Sequence, residues 1–180
     1  REVAHQKKVI AQMGTQGASG FNDRRAVNWV QRELIGKVTE AWVFCGKSWG
    51  DLKPLPDHQD PVPDGLNWDG WLGVGEKRPF IEKYYHPKNW RRRQDFGTGT
   101  LGDMGCHIFN AMYRGLALTA PKRVRSKTGV PNQHNWTNNE RVEYDFPATP
   151  YTGGDLKVFW VSGSQRPPKE LTALIPKGIK

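Results

Sequence analysis

The sequence predicts an α/β (α+β) fold built from packed layers of sheet and helix. Three observations carry this. A strand, a helix and a strand follow one another within residues 9–44. A long helical pattern occupies residues 103–118. Two alternating apolar segments, residues 141–146 and 156–161, then read as antiparallel neighbours. Helices and strands mixed in this order bury their apolar faces against each other in layers.

Residues 9–13 (Val-Ile-Ala-Gln-Met) read as a short buried strand, and residues 14–20 as a glycine-rich loop. Asn22 and Asp23 offer a helix cap. Ala26, Val27, Val30 and Leu34 then form one helical stripe, which Gly36 stops. Residues 38–44 are β-branched and aromatic, and predict a strand. Residues 47–93 predict an irregular centre with interleaved prolines and tryptophans. A loop of that length in a compact domain is functional or disordered, and its tryptophans argue for packing. Within it, residues 67–73 predict a short helical turn. Residues 84–91 bring His86, Asn89, Trp90 and Arg91 into one tight segment. After the helix, Ala120-Pro121 breaks the chain. Residues 124–128 predict a short strand, residues 131–139 a polar turn, and Gly153-Gly154 the turn into the last strand. Residues 164–180 are rich in Pro and Lys and predict no closing element.

The chain carries a net charge of +9. Basic clusters at Lys7-Lys8, Arg91 to Arg93 and Lys122 to Arg125 are scattered, and no nucleic-acid-binding motif accompanies them. Solvated faces, or attraction of an anionic cofactor or substrate, explain them without a specific nucleic-acid partner. No apolar run approaches the length that spans a membrane, so no membrane partner is expected. Cys45 and Cys106 form neither a metal spacing nor a disulfide framework, and both read as buried thiols in apolar segments. No metal site is expected.

The chemistry concentrates in residues 96–110, a glycine-rich run that turns apolar at helical spacing. If Asp103 opens the helix, its carboxylate and the His107 imidazole project from one face, one turn apart. An imidazole titrates near neutral pH, and a nearby carboxylate can orient it, which equips the pair for acid–base work. The alternative is that Asp103 is only a cap and His107 only a buried, hydrogen-bonded histidine. Gly97, Gly99 and Gly102 match a dinucleotide fingerprint. However, Arg91 to Asp95 precede them in place of a buried strand, and Pro121-Lys122-Arg123 stand where an acidic residue belongs. The match is therefore rejected.

Residues 13–17 (Met-Gly-Thr-Gln-Gly), 66–73 (Leu-Asn-Trp-Asp-Gly-Trp-Leu-Gly), 86–91 (His-Pro-Lys-Asn-Trp-Arg), 95–99 (Asp-Phe-Gly-Thr-Gly) and 102–107 (Gly-Asp-Met-Gly-Cys-His) occur in that order. On these motifs the chain resembles the Gfo/Idh/MocA family of NAD(P)-dependent oxidoreductases, which includes glucose–fructose oxidoreductase and inositol dehydrogenase. The resemblance implies the substrate domain of a two-domain dehydrogenase. Its sheet would be open and mostly antiparallel or mixed, with helices on one face. Residues 1–20 would be the tail of the nucleotide-binding Rossmann domain, which is otherwise missing. Residues 21–180 would be the substrate and oligomerisation domain, incomplete at its C-terminus.

The resemblance further implies NAD or NADP as cofactor in the full-length protein, a sugar, polyol or related hydroxylated substrate, and a homo-oligomer formed through the sheet face. It assigns His107 and Asp103 to catalysis, Trp90 and Arg91 to the cofactor side, and His86, Asn89 and Asn110 to the substrate. Asn110 stands where many relatives carry Asp. The Asp103–His107 face is expected to line a pocket with Trp90 and Arg91. Two rival functions remain open at this point: an NAD-dependent glycosidase of the same superfamily, and a non-catalytic binding or assembly domain.

Overall fold

A computed structural model describes residues 2–175. A short helix α1 (Glu2–Gln6) leads through a 3-10 turn (Gln16–Ser19) into α2 (Phe21–Gln31) and strand β1 (Val38–Cys45). The irregular centre follows, with α3 (Trp68–Leu72) and a 3-10 turn (Asn89–Arg92) inside it. Then come α4 (Gly99–Gly115), β2 (Arg123–Thr128), β3 (Glu140–Phe146), β4 (Thr152–Ser162) and α5 (Lys169–Thr172). The last five residues of the Pro- and Lys-rich tail lie outside the described residues.

The four strands form one open mixed sheet in the order β1-β4-β3-β2. The β1–β4 pair is parallel and the other two are antiparallel. In β3, Val142, Tyr144 and Phe146 share a face, as their alternation predicts. α4 lies across that face. Phe109 of α4 stacks on Trp160 with ring centroids 5.7 Å apart and meets the edge of Tyr144. Leu101, Met104, Ile108 and Met112 pack beside it on Val43, Leu156, Val158 and Trp160. Burying each such side chain is worth about 1.5–3 kcal/mol, which explains why the sheet and α4 form one core. α2 packs against α4, where Gly115 leaves room for Val27 and Val30, and Val30 reaches the same core.

The opposite face of the sheet carries Trp42 stacked on Phe159 at 4.2 Å, with the Arg141 guanidinium over both rings. Phe44 on this face is 47% exposed. The irregular centre forms a second small core of its own, in which Ile81, Tyr84 and Tyr85 pack with Trp68, Trp71 and Phe96. The helical turn expected at residues 67–73 is α3, capped by the Asn67 side chain, which accepts from the Gly70 N–H.

Several expectations are corrected. Residues 9–13 form no strand, and Val9, Ile10 and Met13 are exposed, because no described strand lies beside them to pair with their backbone. α2 begins at Phe21 behind Gly20, so Asp23 sits inside its first turn and is not its cap. The turn between β3 and β4 falls at residues 147–151, and Gly153-Gly154 lies within β4, where the β1–β4 register shifts. Cys106 is exposed, because it lies on the side of α4 turned away from the sheet, whereas Cys45 is buried as expected. The tail includes the short helix α5. Finally, Arg91 to Arg93 are not a solvated cluster. Arg93 is 4% exposed, and Arg91 and Arg92 are half-buried.

Candidate active site

α4 begins at Gly99, four residues before Asp103, so Asp103 stands in its second turn. Helical spacing still sets Asp103 and His107 one turn apart on one face. The carboxylate is not held by the imidazole. Arg91 Nε donates to Asp103 Oδ1 at 3.0 Å. Both side chains are partly buried, with 30% and 22% of their surface exposed, so the pair is only partly screened by solvent. His107 is half-buried and has no hydrogen-bond partner among the described residues. It is therefore neither a satisfied core histidine nor a partner of Asp103.

Trp90 and Trp49 complete the cluster. The Arg91 guanidinium lies over the Trp90 ring at 4.6 Å and over the Trp49 ring at 5.4 Å. Trp49 follows the C-terminal end of β1, and its backbone N–H donates to Thr100 Oγ1 in the first turn of α4 at 2.7 Å. Glu140 at the start of β3 is buried. It accepts from Trp160 Nε1 and Ser162 Oγ, each at 2.9 Å, close to Gly99. The cluster thus sits where the parallel strands end and α4 starts, the usual place for sites in α/β layers.

The glycines explain how the loop reaches the helix. A side chain at Gly97 would lie 2.6 Å from the Arg91 backbone, and Gly99, at φ +64°, abuts Trp136. These close approaches bring Arg91 down over α4. They also fill the space that a pyrophosphate would need, which agrees with rejecting the dinucleotide fingerprint here. The residues of this chain therefore offer no phosphate cradle at this run. Beside it stand the half-buried Trp90 ring and the Arg91–Asp103 pair.

The remaining expected residues lie differently. Asn110 Nδ2 donates to Asp23 Oδ2 at 2.7 Å and ties α4 to α2. Asn89 donates to the Lys83 carbonyl within its own loop. His86 is exposed and stands edge-on to Trp71 at 6.4 Å. No described hydrogen bond or ring contact joins His86 or Asn89 to Asp103 or His107. A cavity of about 550 Å³ is present, but Asp103, His107, Trp90 and Arg91 do not line it. All four are half-buried. Sequence reasoning missed Trp49, Thr100 and Glu140. Only the position of Trp49 just beyond β1 pointed toward it.

A four-stranded mixed sheet covered by α4, with an Arg-held carboxylate on that helix, defines an α/β domain. Residues 23–147, well over half the chain, match the family model described as oxidoreductase family, C-terminal alpha/beta domain, of the Gfo/Idh/MocA group. The chain belongs to this family. No curated protein matches it.

Proposed function

We propose that the chain is the substrate domain of an NAD(P)-dependent oxidoreductase acting on a sugar, polyol or related hydroxylated compound. The family match over residues 23–147 carries this reading. The site chemistry supports it. Oxidising an alcohol requires loss of the hydroxyl proton as hydride leaves the carbon, and an imidazole with no partner among the described residues, set on a rigid helix, suits that proton. In this reading His107 accepts the proton. The Arg91–Asp103 pair fixes the loop above it, and Trp90 presents its ring to the nicotinamide side. A bound nicotinamide would supply the hydride acceptor or donor.

Residues 1–20 would then end the nucleotide-binding domain. The sheet face on which the exposed Phe44 lies beside the half-buried Trp42 would pair two copies of the chain, since exposed apolar groups of this kind can mark interfaces. The test joins the chain to its nucleotide-binding domain and follows NADH or NADPH formation over a panel of sugars and polyols. Cofactor reduced in step with substrate oxidised supports the proposal. Release of an aglycone with no net reduced cofactor replaces it with the glycosidase reading.

A further inference from the structure

We infer that the cavity between residues 55–59 and 76–85 binds a small carboxylate with hydrogen-bond donors at its far end, apart from His107. The cavity holds about 550 Å³, within the range of small-molecule sites. Its most buried charged group is Arg93. Arg93 Nε donates to the Tyr84 carbonyl at 3.0 Å, and Nη1 donates to Asp51 at 3.0 Å and Asn135 at 2.6 Å. Nη2 has no protein acceptor among the described residues. Unlike the Nε atoms of Arg92 and Arg141, it is not among the sealed partnerless atoms, and Arg93 lines the cavity. A guanidinium only donates, so this floor calls for an oxygen acceptor, and an anionic one binds more strongly than a neutral one.

The rest of the lining sets the ligand's polarity and size. Arg78, 20% exposed, adds a second cation paired with Asp95. The imidazoles of His58 and His134 add two more polar groups to the wall. The remaining lining acids, Asp57 and Glu76, are exposed at the mouth, with Glu76 88% exposed. The floor therefore donates, and the mouth carries the acids Asp57 and Glu76 beside Lys77, whose ammonium is paired with Asp69. Asp51 already balances the Arg93 charge, so one negative charge suits the floor better than a doubly charged phosphate. Leu55, Pro56, Pro79 and Ile81 give a short apolar wall for a carbon skeleton between the two ends. Arg91 and Arg93, two residues apart, point to opposite sides: Arg91 to α4, and Arg93 to this cavity. One short segment thus walls two separate sites.

A hydroxylated sugar acid and an amino acid share this chemistry, and their relative affinities tell the two sources apart. Calorimetry and two-dimensional amide NMR on the chain, with D-glucuronate, L-serine, acetate, glucose and inorganic phosphate as probes, test the inference. The expected result is saturable binding of glucuronate or serine. Acetate should bind roughly tenfold or more weakly, because it lacks the outer donors. The Arg93 side-chain signal should shift and the His107 signal should not. Arg93→Lys should weaken binding by roughly tenfold or more. Leu55→Trp, at an exposed lining position, should block the mouth and abolish binding even if the Arg93 variant does not fold. Equal or tighter binding of glucose or phosphate, binding by no probe, a shift at His107, or undiminished binding in Leu55→Trp would each overturn the inference.

Discussion

Arg91 holds Asp103. The guanidinium Nε reaches the carboxylate at 3.0 Å and bridges the 3-10 turn of residues 89–92 to the second turn of α4. The carboxylate that helical spacing sets beside His107 thus belongs to the loop above it. This makes Asp103 a residue that positions the Trp90–Arg91 segment, and in the proposed reading His107 is the group that meets the substrate hydroxyl. Arg91→Ala and Asp103→Asn should each destabilise the chain modestly, and the double variant should cost less than their sum. Urea titrations of the three variants should give a coupling energy of about 1 kcal/mol, as for a partly buried pair. Strict additivity would mean that the bond does not hold the loop.

The central loop has its own acid sensitivity. Burial works to raise the Asp51 pKa, but the Lys53 N–H and the Arg93 guanidinium outweigh it and hold the group below its ordinary 3.8. A carboxylate with a lowered folded-state pKa stabilises the fold above its unfolded pKa, and that contribution fades as pH falls through the folded value. Urea midpoints should therefore drop below about pH 4 in the native chain. The drop should be smaller in Asp51→Asn, which has no such proton to take up. Identical acid profiles for the two would remove Asp51 from the account.

At the alkaline end, Tyr144 behaves in the opposite sense. Burial, with the Glu140 charge adding to it, pushes its hydroxyl up to about 12. A phenol with a raised folded-state pKa contributes stability below its unfolded value near 10, and loses it as pH rises through about 12. Burial raises Tyr84 as well, so tyrosinate absorbance should show late titration from more than one group, and one of these should be missing in Tyr144→Phe. That variant should also lose less stability between pH 10 and pH 12. A wild-type titration with no late group would contradict the burial of Tyr144 under α4.

The isolated chain should bind NAD or NADP weakly. Helix N-terminal N–H groups supply much of dinucleotide affinity, and here the glycines of residues 97–102 are closed against Arg91, Trp136 and Thr98. Calorimetry with either cofactor should detect no binding in the micromolar range. Micromolar affinity would show a cradle elsewhere in residues 2–175.

Much of the fold was legible because it rests on local periodicity. β1, β3 and β4, α2 and α3 appear within a few residues of where alternation, stripes and caps put them. The misses have physical causes. Asp103 resembles a cap, but the Thr98–Gly99 turn already lets α4 begin, and a side chain inside the helix is free to meet Arg91. Residues 9–13 have strand composition, yet a strand requires a neighbour that local sequence does not report. Arg93 reads as one of three surface arginines. Its burial depends on Asp51 and Asn135, 42 residues away on either side. The candidate residues were legible as residue types on α4, whereas the surroundings of that helix were not, because Glu140 arrives by tertiary packing alone.

The central claim is that His107 handles the substrate proton. The most direct measurement is single-turnover hydride transfer in the protein joined to its nucleotide-binding domain, comparing wild type, His107→Ala and Asp103→Asn. The account predicts a drop of roughly a hundredfold or more for His107→Ala, the usual scale for losing an acid–base group. It predicts a smaller loss for Asp103→Asn, and circular dichroism unchanged in both. Near-normal hydride transfer in folded His107→Ala would contradict it.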